Sequence, residues 1–356
     1  MRIAKHSSIL CVVVVIALVC GGNWIAAKGP PVANFPSFIP LDIAKTGDVA
    51  IDKIGNVYVN VTATNGRVQV WKFSPAGGGP DVVADFGAGI AYGLAVDANG
   101  DIYAAMRTGP TANSLVYHVG RNGIPALLPG TENIVWANAL AFDQRGNLYI
   151  TESYSGSSAP YGQGGIWRVP PGGEAEIWLR DDLLTGIGGT PPTGANGIGY
   201  YHGDLYVVNS LRYPKSLVVR VPIRPDGSPG QPDVWAELSE VPGTPDDLRQ
   251  LQPLMGDGLA LDVHGNVYVT VVTRCAVVRI NAEDRSQETI ATLFAAPGDP
   301  VFALLDAPNT IGFGTGKGGR QDVFVTNMGL FKAGGFPAPG RLIVKIEAGE
   351  PGLPLP

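Results

Sequence analysis

The chain predicts an all-β fold, a six-bladed β-propeller with four-stranded blades, and three observations carry that prediction. One phrase returns six times: a short apolar run, a turn containing Gly or Asp, and a second apolar run ending near Tyr or Val. The copies begin at Gly47, Tyr92, Asn138, Asn196, Asp257 and Asn309, with starts 45, 46, 58, 61 and 52 residues apart. That period fits one four-stranded blade rather than a helical repeat. Finally, with 49 Gly, 30 Pro and only 16% charged residues in 356, the chain is rich in turn formers and poor in helix-favouring charge patterns.

Within each copy, apolar and small residues alternate, then a tight turn such as Asp97-Ala98-Asn99-Gly100 reverses the chain into a second run such as Ile102 to Ala105. This is a hairpin, the innermost pair of a blade. Two further strand candidates follow each of the first five hairpins: Arg67–Phe73 and Asp81–Phe86, Ser114–Val119 and Pro125–Gly130, Gly165–Pro170 and Ala175–Arg180, Ser216–Ile223 and Pro232–Leu238, Ala276–Asn281 and Thr289–Phe294. The sixth is followed by only one, Arg341–Glu347, while Phe38–Ala44 stands unused ahead of the first hairpin. The N-terminal segment is therefore expected to supply the outer strand of the last blade, closing the ring and hiding its edges.

Ahead of the ring, Arg2 and Lys5 precede an apolar stretch from Ile9 to Cys20, followed by small residues ending in Ala26 and Ala27. The stretch is short for a membrane span, and the pattern reads as a secretory signal peptide, residues 1–27, leaving 28–356 as one domain in a secreted or periplasmic protein. A lipid anchor at Cys20 is disfavoured by bulky Val19. Removal of the signal leaves 23 basic and 31 acidic side chains, a balance that argues against nucleic acid as a partner. It also leaves Cys275 alone, a buried small hydrophobe without a disulfide partner. Stability must then come from the β-core and ring closure.

The recurring turn aspartates Asp52, Asp97, Asp143 and Asp262 invite a catalytic reading, but Asp and Gly at these places are what a hairpin turn requires. The first residues of the innermost strands are more informative, because they should ring one mouth of the central channel. They read Gly47, Tyr92, Asn138, Asn196, Asp257 and Asn309, four of them oxygen donors of the kind that bind a hard cation. Polar residues facing channel water or capping strand ends would read the same way. Among the remaining histidines, His118 falls in a third strand away from the channel, and His202 and His264 fall in exposed turns. No Gly-x-Ser-x-Gly motif appears, the cluster from Ser153 reads as a flexible loop, and GFGTGKGG from Gly312 lacks the Ser or Thr of a phosphate loop. Four long loops, Tyr154 to Gly164, Asp182 to Gly194, Leu238 to Gly256 and Gly329 to Gly340, could bring Tyr154, Tyr161, Leu254, Met255, Leu330 and Phe331 over the mouth as an apolar lid.

The pieces GANGIGYYHGDLYVVNS around Asn196 and GDGLALDVHGNVYVT around Asp257 resemble the regucalcin and gluconolactonase family of six-bladed propellers over roughly Gly47 to Glu347. A weaker likeness points to strictosidine synthase, paraoxonase and NHL-repeat propellers. The resemblance implies a divalent metal, calcium foremost, ligated by Asn196 and Asp257, with Asn138 as ligand or substrate contact; by their places in the ring, Asn309 is expected as an additional ligand and Tyr92 as a substrate contact. It also implies that the metal polarises a lactone or ester carbonyl while Asp257 orients or deprotonates water. One position departs: where the family has a metal-binding Glu in the first blade, alignment gives Gly47, and Asp48 should point the other way in a regular strand.

The reading is an exported metal-dependent hydrolase of lactonase or esterase type acting on a small lactone or ester at the channel mouth, with no membrane span after cleavage. Two alternatives stay open. One is a non-catalytic propeller binding a ligand or protein partner; the other is a lyase or condensing enzyme on the same scaffold.

Overall fold

A computed structural model describes residues 35–109, 112–156, 160–251, 253–315, 320–335 and 338–355. Residues 1–27, read from sequence as a signal peptide, and residues 316–319 of the glycine-rich segment lie outside them.

Six antiparallel four-stranded sheets form the blades. Blade 1 comprises β2 (Lys45–Ile51), β3 (Val57–Thr62), β4 (Arg67–Phe73) and β5 (Asp81–Ala88), and blade 2 β6 (Ile90–Val96), β7 (Ile102–Arg107), β8 (Ser114–Val119) and β9 (Pro125–Leu127). Blade 3 has β10 (Ala137–Phe142), β11 (Leu148–Glu152), β12 (Gly165–Val169) and β13 (Glu176–Arg180). Blade 4 has β14 (Ala195–Tyr201), β15 (Asp204–Arg212), β16 (Lys215–Pro222) and β17 (Asp233–Glu237). Blade 5 has β18 (Gly256–Leu261), β19 (Val267–Val271), β20 (Ala276–Ile280) and β21 (Gln287–Thr292). In blade 6, β22 (Pro308–Phe313), β23 (Asp322–Asn327) and β24 (Leu342–Glu347) are completed by β1 (Phe38–Pro40), which pairs Ile39 with Ile343. The ring is thus closed by the N-terminal strand, as the leftover strand in the sequence predicts.

The turn aspartates are structural. Asp52, Asp143 and Asp262 are buried, and in each turn one carboxylate oxygen accepts two backbone N–H bonds while the other accepts from an Asn four residues on and a Tyr hydroxyl six residues on. The phrase D-x-x-G-N-x-Y is therefore a hairpin lock. Blade 2 carries Asp101 where the others have Asn, and Asp101 turns instead to His118, with Nε2 at 2.9 Å. That contact accounts for the histidine in the third strand, away from the channel.

Apolar burial is divided among the blade interfaces. Tyr58, Val70 and Ala84 of blade 1 pack on Leu94, Val96 and Ile102 of blade 2. Corresponding clusters join blades 2 and 3, 3 and 4, 4 and 5, 5 and 6, and 6 and 1. In the closing interface Phe35, Leu41 and Ile43 pack with Phe324 and Ile343, so the N-terminal segment contributes packing as well as hydrogen bonds.

Candidate functional site

The innermost strands do not alternate regularly. Each of the six has a register shift at the repeat's first position, so two residues stand opposite one on the neighbouring strand: Gly47-Asp48, Tyr92-Gly93, Asn138-Ala139, Asn196-Gly197, Asp257-Gly258 and Asn309-Thr310. Such a β-bulge re-aims the side chains around it. The backbones are crowded here, since a Cβ on Gly197 would lie 2.5 Å from Asp257 O, and one on Gly258 2.6 Å from Asn309 O. Threonines on the second strands tie the ring: Thr270 Oγ1 accepts from Gly258 N–H and donates to Asn309 O, and Thr151 does the same between Ala139 N–H and Asn196 O.

In blade 1 the order of glycine and side chain is reversed. Gly47 is the residue pressed against the next blade, its would-be Cβ 2.5 Å from Tyr92 O, and the carboxylate comes second. Asp48 lines the channel with Asn196 and Thr310, where the Thr310 hydroxyl and Leu94 N–H favour its ionised form. The expectation that Asp48 faces away is thus corrected: strict alternation fails at a bulge, and Asp48 lines the channel.

Asp48, Asn196 and Thr310 line a polar chamber of about 60 Å³. Its floor is a ring of one aliphatic residue per blade, Val49, Leu94, Leu140, Ile198, Leu259 and Ile311, each no more than 7% exposed. Four of these also line a wider cavity of about 510 Å³ at the opposite mouth, so the aliphatic ring stands between the two. The wider cavity is mostly apolar, walled in part by Leu353–Leu355, and its titratable side chains are Tyr200, Tyr201 and the exposed turn residue His202. Size and charge therefore separate: the Asp48 carboxylate lines the smaller chamber.

Asp48 lines the chamber, while Asp257, at the bulge of blade 5, lies beside Asn196 and within electrostatic reach of Asp48. Burial pushes the Asp48 carboxyl up to about 7. Burial, and then the repulsion of Asp48, pushes Asp257 well above the usual carboxylate range, while a hydrogen bond from Asn196 opposes the shift. Lys45 is within electrostatic reach of both and is brought down to about 8, by burial first. Its Nζ donates to Ala91 O at 3.1 Å and lies 3.6 Å from the centroid of the Tyr92 ring.

Two oxyanion donors crowded together beside an amide, in a space large enough for an ion with a water or two, suit a hard cation such as calcium. Asn196 donates through Nδ2 to Ser210 Oγ and is almost fully buried beside Asp257. Asn138 occupies the same ring position in blade 3 and donates to Ser153 Oγ. Asn309 reaches the ring but faces into its wall: Nδ2 donates to Gly47 O, and Oδ1 accepts from Thr46 and Thr326. The structure therefore does not set the Asn309 amide among the chamber's oxygen donors. Among the described residues no cluster of three His, Cys, Asp or Glu side chains forms, so a cation here would rely on amide oxygen beside the two carboxylates.

Beginning at the ring under Lys45, the Tyr92, Trp136, Tyr154 and Tyr161 rings follow one another with centroids 5.2, 4.9 and 5.3 Å apart, and the Arg107 guanidinium lies 4.3 Å from the Trp136 centroid. Tyr154 is buried in this series rather than forming a mobile lid, and Leu254 belongs to the core between blades 4 and 5. Ser153, read from sequence as the start of a flexible loop, is buried and donates to Ala195 O. Phe331 packs on the core between blades 5 and 6, while Leu330 is exposed.

Lys45, Arg107 and Trp136 escaped the sequence reading. A signal existed for Lys45: two places before each bulge the chain reads Lys45, Ile90, Trp136, Gly194, Met255 and Ala307, a single charge in an uncharged column.

No protein-family model matches the chain, and no curated protein does. Solved structures do. A gluconolactonase from Xanthomonas campestris aligns with a TM-score of 0.58 at 16% identity, covering 86% of this chain and 87% of that one. A structure described as a putative gluconolactonase aligns at 0.59 and 14%, covering 90% and 96%, and a luciferin-regenerating enzyme at 0.59 and 14%, covering 88% and 94%. At these identities the likeness establishes a shared six-bladed architecture.

Proposed function

We propose that this chain is an exported, metal-assisted hydrolase of lactones or related esters acting at the mouth that bears Asp48 and Asp257. The observation that carries the reading is the approach of two carboxylates from blades 1 and 5, Asp48 over the aliphatic floor and Asp257 beside Asn196 within electrostatic reach of it. The carboxylates and the Asn196 amide oxygen would hold a divalent cation, calcium foremost. When bound, the cation supplies polarisation of the substrate carbonyl. Asp257 takes a proton from the attacking water, and a hydrogen bond from Asn196 fixes its orientation. Water adds to the carbonyl carbon, the acyl C–O bond breaks, Asp257 returns its proton to the departing alkoxide oxygen, and a hydroxy acid leaves a lactone substrate. The chamber is too small for a whole substrate, so the body of the molecule rests above it against Tyr92 and Trp136, within reach of Asn138.

The test is elemental analysis of the purified chain with calcium offered and then chelated, beside a lactone hydrolysis screen under both conditions. Stoichiometric metal and chelator-sensitive turnover are expected, with Asp257→Asn and Asn196→Ala each losing metal and activity while remaining folded. Retention of stoichiometric metal by both variants would sink the site. No metal and no turnover in the unaltered chain would leave a binding propeller, and product formed without net addition of water would indicate a lyase or condensing enzyme.

A further inference from the structure

The aromatic wall of this mouth has an unusual property. Aromatic faces beside acidic groups ordinarily suit a ligand ammonium. Here two of those faces are already covered by the chain's own cations, Lys45 over Tyr92 and Arg107 over Trp136. Lys45 uses one of its three N–H donors on Ala91 O, and Arg107 is anchored by Nε to Ala112 O at 2.9 Å. The two cations are close enough to feel each other electrostatically. A ligand ammonium entering along this wall meets like charge on both rings, whereas a carboxylate meets a lysine held in place by a ring face and a carbonyl.

We propose that the mouth selects ligands carrying a carboxylate joined to an apolar or aromatic body, the carboxylate seated on Lys45 and the body lying along Tyr92 and Trp136. Resting on the hydrolase reading, this narrows the substrate to a lactone or ester that bears a separate acidic group. Recognition of the anion belongs to blades 1 and 2, and the reacting carbonyl belongs to Asp48 and Asp257.

Three probes of matched shape, benzoate, benzyl alcohol and benzylamine, test the selection by calorimetric titration of the mature chain with calcium present. Benzoate is expected to bind about tenfold more tightly than either other probe, the size of one charge-assisted hydrogen bond. Lys45→Met should abolish that preference and Lys45→Arg should keep it, with the circular-dichroism spectrum unchanged in both. Equal binding of the three probes, stronger binding of benzylamine, no binding of benzoate, or a preference that survives Lys45→Met would each overturn the proposal. The probe ordering on the unaltered chain needs no variant, so a misfolded Lys45→Met protein does not blunt the test. Hydrolysis of neutral lactones without a benzoate preference would refute this inference alone, and a benzoate preference without hydrolysis of any lactone would refute the hydrolase reading alone.

Discussion

Replacing Asp48 with Asn should stabilise the metal-free protein at alkaline pH and remove its response to calcium. The carboxyl is raised from 3.8 to about 7, by burial first. The folded chain therefore holds this proton where the unfolded chain has released it, so stability is highest near pH 4 and falls as pH rises to about 7, beyond which the whole penalty persists. A rise of about three units corresponds to at most about 4 kcal/mol at about 1.4 kcal/mol per unit. Lumen water screens part of it, so about 2 kcal/mol is a reasonable expectation. With an unfolding entropy of about 2 cal/mol/K per residue, that is about 3 °C in Tm for a chain of this length. The assay is paired urea and thermal unfolding of wild type and Asp48→Asn in chelator at about pH 4 and pH 8, repeated with calcium. The variant should match wild type near pH 4 and exceed it at pH 8. Calcium should reverse the order, adding about 2.7 kcal/mol to wild type at a hundredfold excess over its Kd and little to the variant. A variant less stable than wild type at pH 8 in chelator, or a difference independent of pH, would refute the placement of Asp48 in a desolvated chamber.

Gly47→Ala would drive a methyl group to within 2.5 Å of Tyr92 O, and neither backbone can retreat within a closed ring. A loss above about 2 kcal/mol in urea unfolding is expected, with calcium binding lost as Asp48 is displaced; unaltered stability and binding would contradict the bulge. Thr270→Val leaves Gly258 N–H and Asn309 O without their bridge and should cost about 1–3 kcal/mol, read from the denaturant midpoint. N-terminal sequencing of the exported chain should begin near Lys28, and a chain retaining Met1 in the membrane fraction would overturn the signal-peptide reading.

The sequence by itself determined the blades. D-x-x-G-N-x-Y specifies a hairpin through contacts no more than six residues apart, visible in Asp52, Asn56 and Tyr58, and the looser phrase of apolar run, turn and apolar run, returning six times, counts the blades. The unused strand at Phe38 announced how the ring closes, because a sixth blade lacking a fourth strand leaves an edge to be paired. The ring positions Asn138, Asn196 and Asp257 were legible for the same reason. What only the tertiary structure decided is which way the groups at those positions face. Asp48 turns into the channel because the inner strands crowd together at the axis and Gly47, rather than Asp48, fits against Tyr92 O. Asn309 turns into the wall because Gly47 O and the Thr46 and Thr326 hydroxyls, from the opposite end of the chain and its own blade, claim its amide. Lys45 meets an aromatic face only when the second blade brings up Tyr92. Strand periodicity is local and survives in a linear reading; a bulge forced by backbone contact between blades, and the charge environment it creates, exists only once the ring has closed.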